Sequence, residues 1–176
     1  MDLQIAEYIA AHRSTDLTAL MQLITLAGYN LIPVIVFITA VVYFFLKYKR
    51  FNEIILLSLS VGIGQLSALL LKNIIMRPRP PLELAAYLET GFAMPSAHAL
   101  LATGFYGMLF YLLSKEIKNT VLKKVFWVAA VLFILLLCFS RIYLGVHWTS
   151  DVLVGFGLGI ILNITLLKLY PVVKKH

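Results

Sequence analysis

The polar positions of this chain are gathered into short clusters, and the stretches between them are nearly unbroken runs of apolar side chains. Five runs approach the length needed to cross a bilayer: Leu31 to Leu46, Ile54 to Leu71, Ala97 to Leu113, Val125 to Phe139 and Val152 to Leu169. About 20 helical residues span the hydrocarbon core, so the shorter runs must extend a turn beyond these limits. A further stretch, Leu17 to Ala27, is too short to cross alone and is broken from the next run by Gly28, Tyr29, Asn30 and Pro33. With Leu3, Ile5, Ala6 and Ile9 ahead of it, residues 3–27 read as helical material at the membrane interface or dipping partly into it, a sixth crossing being the alternative. The pattern predicts an all-α, polytopic transmembrane helix bundle of five to six spans with an N-terminal interfacial helix. One membrane-embedded domain is expected over residues 1–176, with residues 1–28 as the interfacial segment and 29–170 as the bundle.

Composition agrees: 61% of the 176 residues are hydrophobic and 13% charged, and the mean hydropathy is +0.93, which excludes an ordinary soluble domain. The net charge of +7 would point to nucleic acid in a soluble chain. Here the basic residues sit at the ends of apolar runs, where topology explains them and no nucleic-acid partner is expected. Cys138, the one cysteine, lies inside an apolar run and forms no intrachain disulfide. The stretch MDLQIAEYIAAHRSTD lacks an uninterrupted apolar core and does not read as a cleaved signal peptide.

Lysine and arginine also set the orientation. One group of loops holds Lys47, Lys49, Arg50, Lys115, Lys118, Lys123, Lys124, Lys168, Lys174 and Lys175 against Glu53 and Glu116. The other holds Arg13, Lys72, Arg77, Arg79 and Arg141 against Asp2, Glu7, Asp16, Glu83, Glu89 and Asp151. The first group is expected in the cytoplasm. Five spans then place the N-terminus outside and the C-terminus inside. Tyr43, Phe44, Phe45 and Trp127 are expected in an aromatic belt, while His12 and His176 are expected to be inert.

Three polar clusters then share the extracytoplasmic side: KNIIMRPRP (72–80), MPSAH (94–98) and SRIYLGVHWTSD (140–151). Pooled, they supply Lys72, Arg77, Arg79, Ser96, His98, Arg141, His147 and Asp151, a cationic pocket with two histidines and one carboxylate. Such a pocket suits a phosphoryl group. Guanidinium forks match phosphate oxygens, lysine adds a point charge, and the amides of Ser96 and Ala97 open a span where an anion is favoured. His147, hydrogen-bonded through one nitrogen to Asp151, keeps the other free as a nucleophile, and His98 can serve as general acid.

These blocks resemble the type 2 phosphatidic acid phosphatase (PAP2) superfamily. Its pattern is Lys, six residues, Arg-Pro; Pro-Ser-Gly-His; and Ser-Arg, five residues, His, three residues, Asp. Lys72 with Arg79-Pro80, then Pro95-Ser96-Ala97-His98, then Ser140-Arg141 with His147 and Asp151 match in order and spacing, Ala97 replacing the usual glycine. The resemblance implies a membrane lipid phosphatase without metal or cofactor. It would work through a phosphohistidine on His147, with Asp151 orienting that ring, His98 as acid and then base, and Lys72, Arg79, Ser96, Ala97 and Arg141 binding phosphoryl oxygens. Arg77 lies off the pattern, read either as an interfacial anchor or as a contact to a second phosphate of the substrate.

The implied substrates are undecaprenyl diphosphate, phosphatidylglycerophosphate or phosphatidic acid, and the 1-phosphate of lipid A. The implied location is the cell (inner or plasma) membrane, and no obligate protein partner is inferred. Lipid-to-lipid phosphotransfer through the same intermediate is one alternative. A non-catalytic lipid-binding protein is another, which the retained chemical residues disfavour. The spans count against the soluble, vanadate-binding haloperoxidases of the superfamily, and the single carboxylate among many cations counts against a metal-dependent hydrolase.

Overall fold

The computed structural model describes residues 1–28 and 31–169. The break at Tyr29 and Asn30, together with Lys174, Lys175 and His176, lies outside the described residues. Seven helices follow in order: α1 (Asp2–Ala11), α2 (Thr15–Thr25), α3 (Leu31–Tyr48), α4 (Phe51–Ile75), α5 (Ala97–Ser114), α6 (Thr120–Tyr143) and α7 (Thr149–Leu169). Short 3-10 turns occupy Leu26–Gly28 and Leu82–Leu84, and a π turn lies inside α5 over Ala102–Tyr106. There is no strand among the described residues.

Four helices are long and apolar enough to cross a membrane by themselves: α4, α5, α6 and α7. Residues Thr15–Gly28 and Leu31–Lys47 meet that test together, as a pair bent by 46°. Residues 17–27 thus belong to the first limb of a bent pair, and the described residues hold four spans, or up to five if that pair is one span. This segment packs on the bundle: α2 lies along α6, and Met21 is buried against Tyr143, Leu144 and Val146.

Helix α5 is the axis of the bundle. Its apolar window is 72% buried, against 22–28% for α4, α6 and α7, so the other helices surround it and turn their remaining apolar side chains to lipid. Leu66 and Leu69 on α4, Val128 and Leu132 on α6 and Ile161 on α7 are exposed in this way. The core joins Phe44, Leu56, Leu57, Phe105, Met108, Leu112, Leu137 and Leu166 from five helices.

In lipid, helices gain little from excluding water, and close packing of small residues takes over. On α7, Gly155 and Gly159 are one turn apart and face α5. A Cβ on Gly155 would stand 2.4 Å from the Ser96 carbonyl oxygen, and one on Gly159 would stand 1.8 Å from the Thr103 hydroxyl. Only glycine permits this approach, and it brings the start of α7 against the start of α5. Asn163, one further turn along, donates to the Thr103 carbonyl at 2.7 Å, beside the π turn.

The chain direction puts the C-terminal ends of α4 and α6 and the N-terminal ends of α5 and α7 at one end of the bundle. Loop 76–96 folds over that end. It begins at Met76, whose φ of 48° closes α4 in the left-handed region. Ala93 then donates to the Arg77 carbonyl at 2.9 Å and Ala86 to that of Leu144 at 2.8 Å. Gly145, at φ 68°, is required twice: a side chain there would be strained, and its Cβ would stand 2.0 Å from the Leu84 carbonyl oxygen. Arg13, between α1 and α2, clips this layer by donating to the carbonyls of Tyr143 at 3.1 Å and Leu84 at 2.8 Å.

Candidate active site

The three sequence clusters meet under the loop. Lys72 comes from the last turn of α4, Arg77 and Arg79 from the segment after it, and Ser96 and His98 from the start of α5. Arg141 comes from the last turn of α6, His147 from the turn between α6 and α7, and Asp151 from the first turn of α7. A backbone bond of 3.0 Å from the Ser96 amide to the Asp151 carbonyl ties the second cluster to the third. That amide is therefore engaged with protein, contrary to the expectation that it awaits an anion. The Ser96 hydroxyl accepts from Ala99 at 3.4 Å as the N-cap of α5. Ala97 holds the first helical position, where the helix itself supplies no acceptor for its amide.

His147 and Asp151 are buried, at 3% and 0% exposure. One carboxylate oxygen of Asp151, Oδ2, accepts the Trp148 amide at 2.9 Å and stands 3.6 Å from His147 Nδ1. The first contact is half of a capping box, with the residue before α7 and the third residue of its first turn as partners. The second is too long for a hydrogen bond, and Nδ1 has no other partner among the described residues. On the opposite side of the ring, Arg79 Nη1 lies 3.3 Å from Nε2. A guanidinium can only donate, so Nε2 must present its lone pair, and the proton of the neutral ring falls on Nδ1, facing Asp151. Burial, then the charges of Arg141, Arg79 and Lys72, hold the His147 imidazole well below the usual histidine range. The ring is neutral at neutral pH, with its free nitrogen turned to the cations.

Those cations form a cradle that the loop already touches. Lys72 Nζ donates to the carbonyls of Phe92 and Ala93, and Arg79 donates to those of Gly91 at 3.0 Å and Val146 at 2.7 Å. Arg141, 1% exposed, donates to Thr25 Oγ1 and the Tyr87 hydroxyl at 2.8 Å each. Its other arm pairs closely with Glu89, whose second oxygen is 3.4 Å from Arg79. Glu89 thus bridges the two arginines, as an oxyanion would. Burial pushes the Tyr87 phenol above its ordinary range, which keeps it protonated beside this pair. A cavity of about 400 Å³ leads to Arg141 and Glu89, lined by Gln22, Thr25 and Leu26 from the first limb and by Tyr87, Leu88 and Thr90 from the loop.

His98 is buried on α5 within electrostatic reach of Arg141, His147, Arg79 and Lys72. Its ring packs on Gly28, where a Cβ would stand 2.5 Å from Cδ2. Arg77 is placed differently. It lies behind the pair and not in the cradle, with Nη1 donating to Asp151 Oδ1 at 2.7 Å and to Ser150 Oγ at 2.6 Å, and Nη2 to Asp2 Oδ2 at 2.7 Å. Its guanidinium also stacks on the Trp148 ring, 5.6 Å from the centroid. Its partners are thus the helix start at Trp148, Ser150 and Asp151 and the N-terminal Asp2, not the cations of the cradle.

Sequence reading missed Asp2, Thr25, Gly28, Tyr87 and Glu89. All lie outside the three blocks, and no spacing rule links them. The available signal was that Tyr87 and Glu89 sit in the loop that joins two of the blocks.

Four or up to five membrane-crossing helices, carrying a buried histidine–aspartate pair and a three-cation cradle at one end, define a polytopic membrane protein with a cationic site at one end of its bundle. Residues 53–175 match the family model of the PAP2 superfamily, and the chain belongs to that superfamily. It is 35% identical over 137 residues to phosphatidylglycerophosphatase B of Bacillus subtilis (strain 168), covering 77% of this chain and 66% of that protein. It is 31% identical over 140 residues to dolichyldiphosphatase of Saccharomyces cerevisiae, covering 76% and 57%. The chain thus spans somewhat less than two thirds of the length of these two relatives. Among solved structures, the first transmembrane PAP2 type phosphatidylglycerolphosphate phosphatase from Bacillus subtilis superposes with a TM-score of 0.89 at 29% identity, over 99% of this chain and 86% of that one.

Proposed function

We propose that the protein is an integral-membrane lipid phosphatase that removes a phosphoryl group from a phosphomonoester or diphosphate lipid through a phosphohistidine on His147. The observation that carries this reading is the His147 ring, neutral and buried, with its Nε2 lone pair facing Arg79 and its Nδ1 proton facing Asp151. Nε2 attacks phosphorus, the bond from phosphorus to the lipid oxygen breaks, and His98, which carries a proton once the negative charge of the substrate is set among the surrounding cations, gives it to that oxygen. The positive charge gathered by the His147 ring is stabilised as Nδ1 closes on Asp151. His98, now neutral, takes a proton from water as the water attacks the phosphohistidine, and inorganic phosphate leaves with Nε2 restored. Lys72, Arg79 and Arg141, with Ser96 and the Ala97 amide, bind the oxygens on which charge collects, and no metal enters the scheme. The phosphoryl group takes the place of the Glu89 carboxylate on the arginines.

The relatives named above support a substrate with its tails in the bilayer, either phosphatidylglycerophosphate or a polyprenyl diphosphate such as undecaprenyl diphosphate. Phosphatidic acid and the 1-phosphate of lipid A offer the same phosphoryl chemistry. An extracytoplasmic site is supported by the lysines at the other end of the bundle, Lys47, Lys115, Lys118, Lys123, Lys124 and Lys168. The test is phosphate release from each lipid by purified protein in detergent with EDTA present. Release that persists in EDTA and is lost in His147→Ala is expected. Failure to release phosphate from any of them, or wild-type rates in His147→Ala, refutes the proposal, and labelled phosphate appearing on a lipid reassigns the acceptor.

A further inference from the structure

The 0% exposed Asp151 carboxylate has two close partners in addition to His147, and one of them, Arg77, is held in turn by a residue outside the three sequence blocks. Oδ2 takes the Trp148 amide at 2.9 Å, while Oδ1 takes Arg77 at 2.7 Å. Arg77 is itself held by Asp2 at 2.7 Å. Asp2 reaches back to the same helix start, accepting the Ser150 amide at 3.1 Å through Oδ1 and the Ser150 hydroxyl through Oδ2. Helix α1 is thereby fastened to the first turn of α7, where an anion is favoured by unsatisfied amides and by the helix dipole. Asp2 also lies outside the residues that match the superfamily.

We propose that Arg77 and Asp2 are positioning residues for the His147–Asp151 pair: Arg77 fixes the Asp151 carboxylate in the plane that faces Nδ1, and Asp2 fixes Arg77. This rests on the function proposed above. A carboxylate with a single strong partner swings about its bond. With Arg77 on one oxygen and the Trp148 amide on the other, the remaining lone pair of Oδ2 is aimed at the ring. The 3.6 Å gap to Nδ1 closes as the ring gains charge, without Asp151 having to turn. The titratable and charged groups facing Asp151 are Arg77 from the loop, Asp2 from α1 and the neutral His147 from the α6–α7 turn, with Lys72 of α4 and Arg79 at longer reach. Of the cations, Arg77 is the one in direct contact, so its removal leaves a buried carboxylate short of its counter-charge.

The test compares full-length wild type, Arg77→Lys, Arg77→Met and Asp2→Asn in detergent, using whichever lipid wild type hydrolyses. Arg77→Met is expected to lower kcat by about 10- to 100-fold, the loss typical of a group supporting a catalytic residue, with KM changed by less than about 3-fold. The acid limb of its kcat profile moves to higher pH. Arg77→Lys restores part of kcat, and Asp2→Asn shows a smaller loss in the same direction. Unchanged kcat and acid limb in folded Arg77→Met overturn the proposal. So does a rise in KM at constant kcat, which would make Arg77 a substrate contact. If Arg77→Met does not fold, Arg77→Lys and Asp2→Asn decide by the same readouts.

A second measurement needs no lipid and separates this proposal from the assigned activity. Acylation of His147 by diethyl pyrocarbonate, read by peptide mass spectrometry across pH, is expected to slow several-fold in the Arg77 and Asp2 variants. Equal rates and pH dependence in all four proteins overturn the relay, whether or not wild type releases phosphate.

Discussion

At His147 the surroundings decide the pH dependence. The folded ring stays neutral well below the usual pKa of about 6.5, and in the proposed mechanism the neutral ring is the nucleophile. Protonation of His147 therefore cannot limit kcat/KM near pH 6.5, and its acid limb is expected well below that value in a lipid-hydrolysis profile. The same shift bears on stability. An unfolded imidazole takes up a proton near 6.5 while the folded one does not, so this contribution to stability is present above 6.5 and lost as pH falls toward the folded value. Glu89 supplies a second prediction. It occupies the arginines that a phosphoryl group must reach, so Glu89→Gln is expected to bind inorganic phosphate several-fold more tightly. Less stable without anion, because Arg141 is buried and loses its counter-charge, the variant should gain more than wild type in a phosphate thermal-shift titration. Equal phosphate affinity would show that Glu89 does not compete for the cradle. His147, Asp151, Arg79 and Arg141 were legible because fixed spacings along the chain carry them. Glu89 and Asp2 were not, because their roles exist only through contacts 52 and 148 positions away in the chain.

At the scale of elements, α7 shows how packing becomes site geometry. Gly155 lets α7 approach the Ser96 carbonyl, and the Ser96 amide in turn bonds Asp151. Gly155→Ala is expected to cost about 1–3 kcal/mol by overpacking and to lower kcat as well, because it pushes apart the two turns that carry Ser96 and Asp151. Gly159→Ala, against Thr103, should lower thermal stability with a smaller effect on kcat. Gly157 has open space where its Cβ would go, so Gly157→Ala is the control and should leave both unchanged. Thermal unfolding and kcat of the three variants in one detergent check this, and equal behaviour at 155 and 157 would refute it. Apolar runs announced the helices themselves, since each polar cluster marks an end. The central place of α5 was not legible, because its apolar run looks like its neighbours' and only the glycines of α7 reveal which face is covered. The N-terminal segment was legible as apolar and short, but that it meets the spanning test only in company with α3, across a 46° bend, depends on how the chain continues.

The whole molecule separates chemistry from charge along its axis. Histidines, aspartates and four arginines close one end, while the lysine-rich turns carry the other, with α4, α6 and α7 of 25, 24 and 21 residues between them. At 1.5 Å per residue those helices are about 30–38 Å long, the thickness of the hydrocarbon core, so the two ends lie on opposite faces of the bilayer. On the proposed function, a lipid presenting its phosphate at this end would keep its tails beside the exposed leucines and valines of the helices, and the cavity between the first limb and the loop would give the headgroup a path to Arg141. Sidedness then has a direct test. Cys138 is buried inside α6 and gives little background to a membrane-impermeant maleimide. Glu83→Cys, in the loop over the site, should be labelled on intact cells, or on spheroplasts if an outer envelope blocks access. Lys118→Cys, between α5 and α6, should be labelled only after the membrane is opened. The reverse pattern would turn the site to the cytoplasm and overrule the distribution of lysines as the guide to orientation.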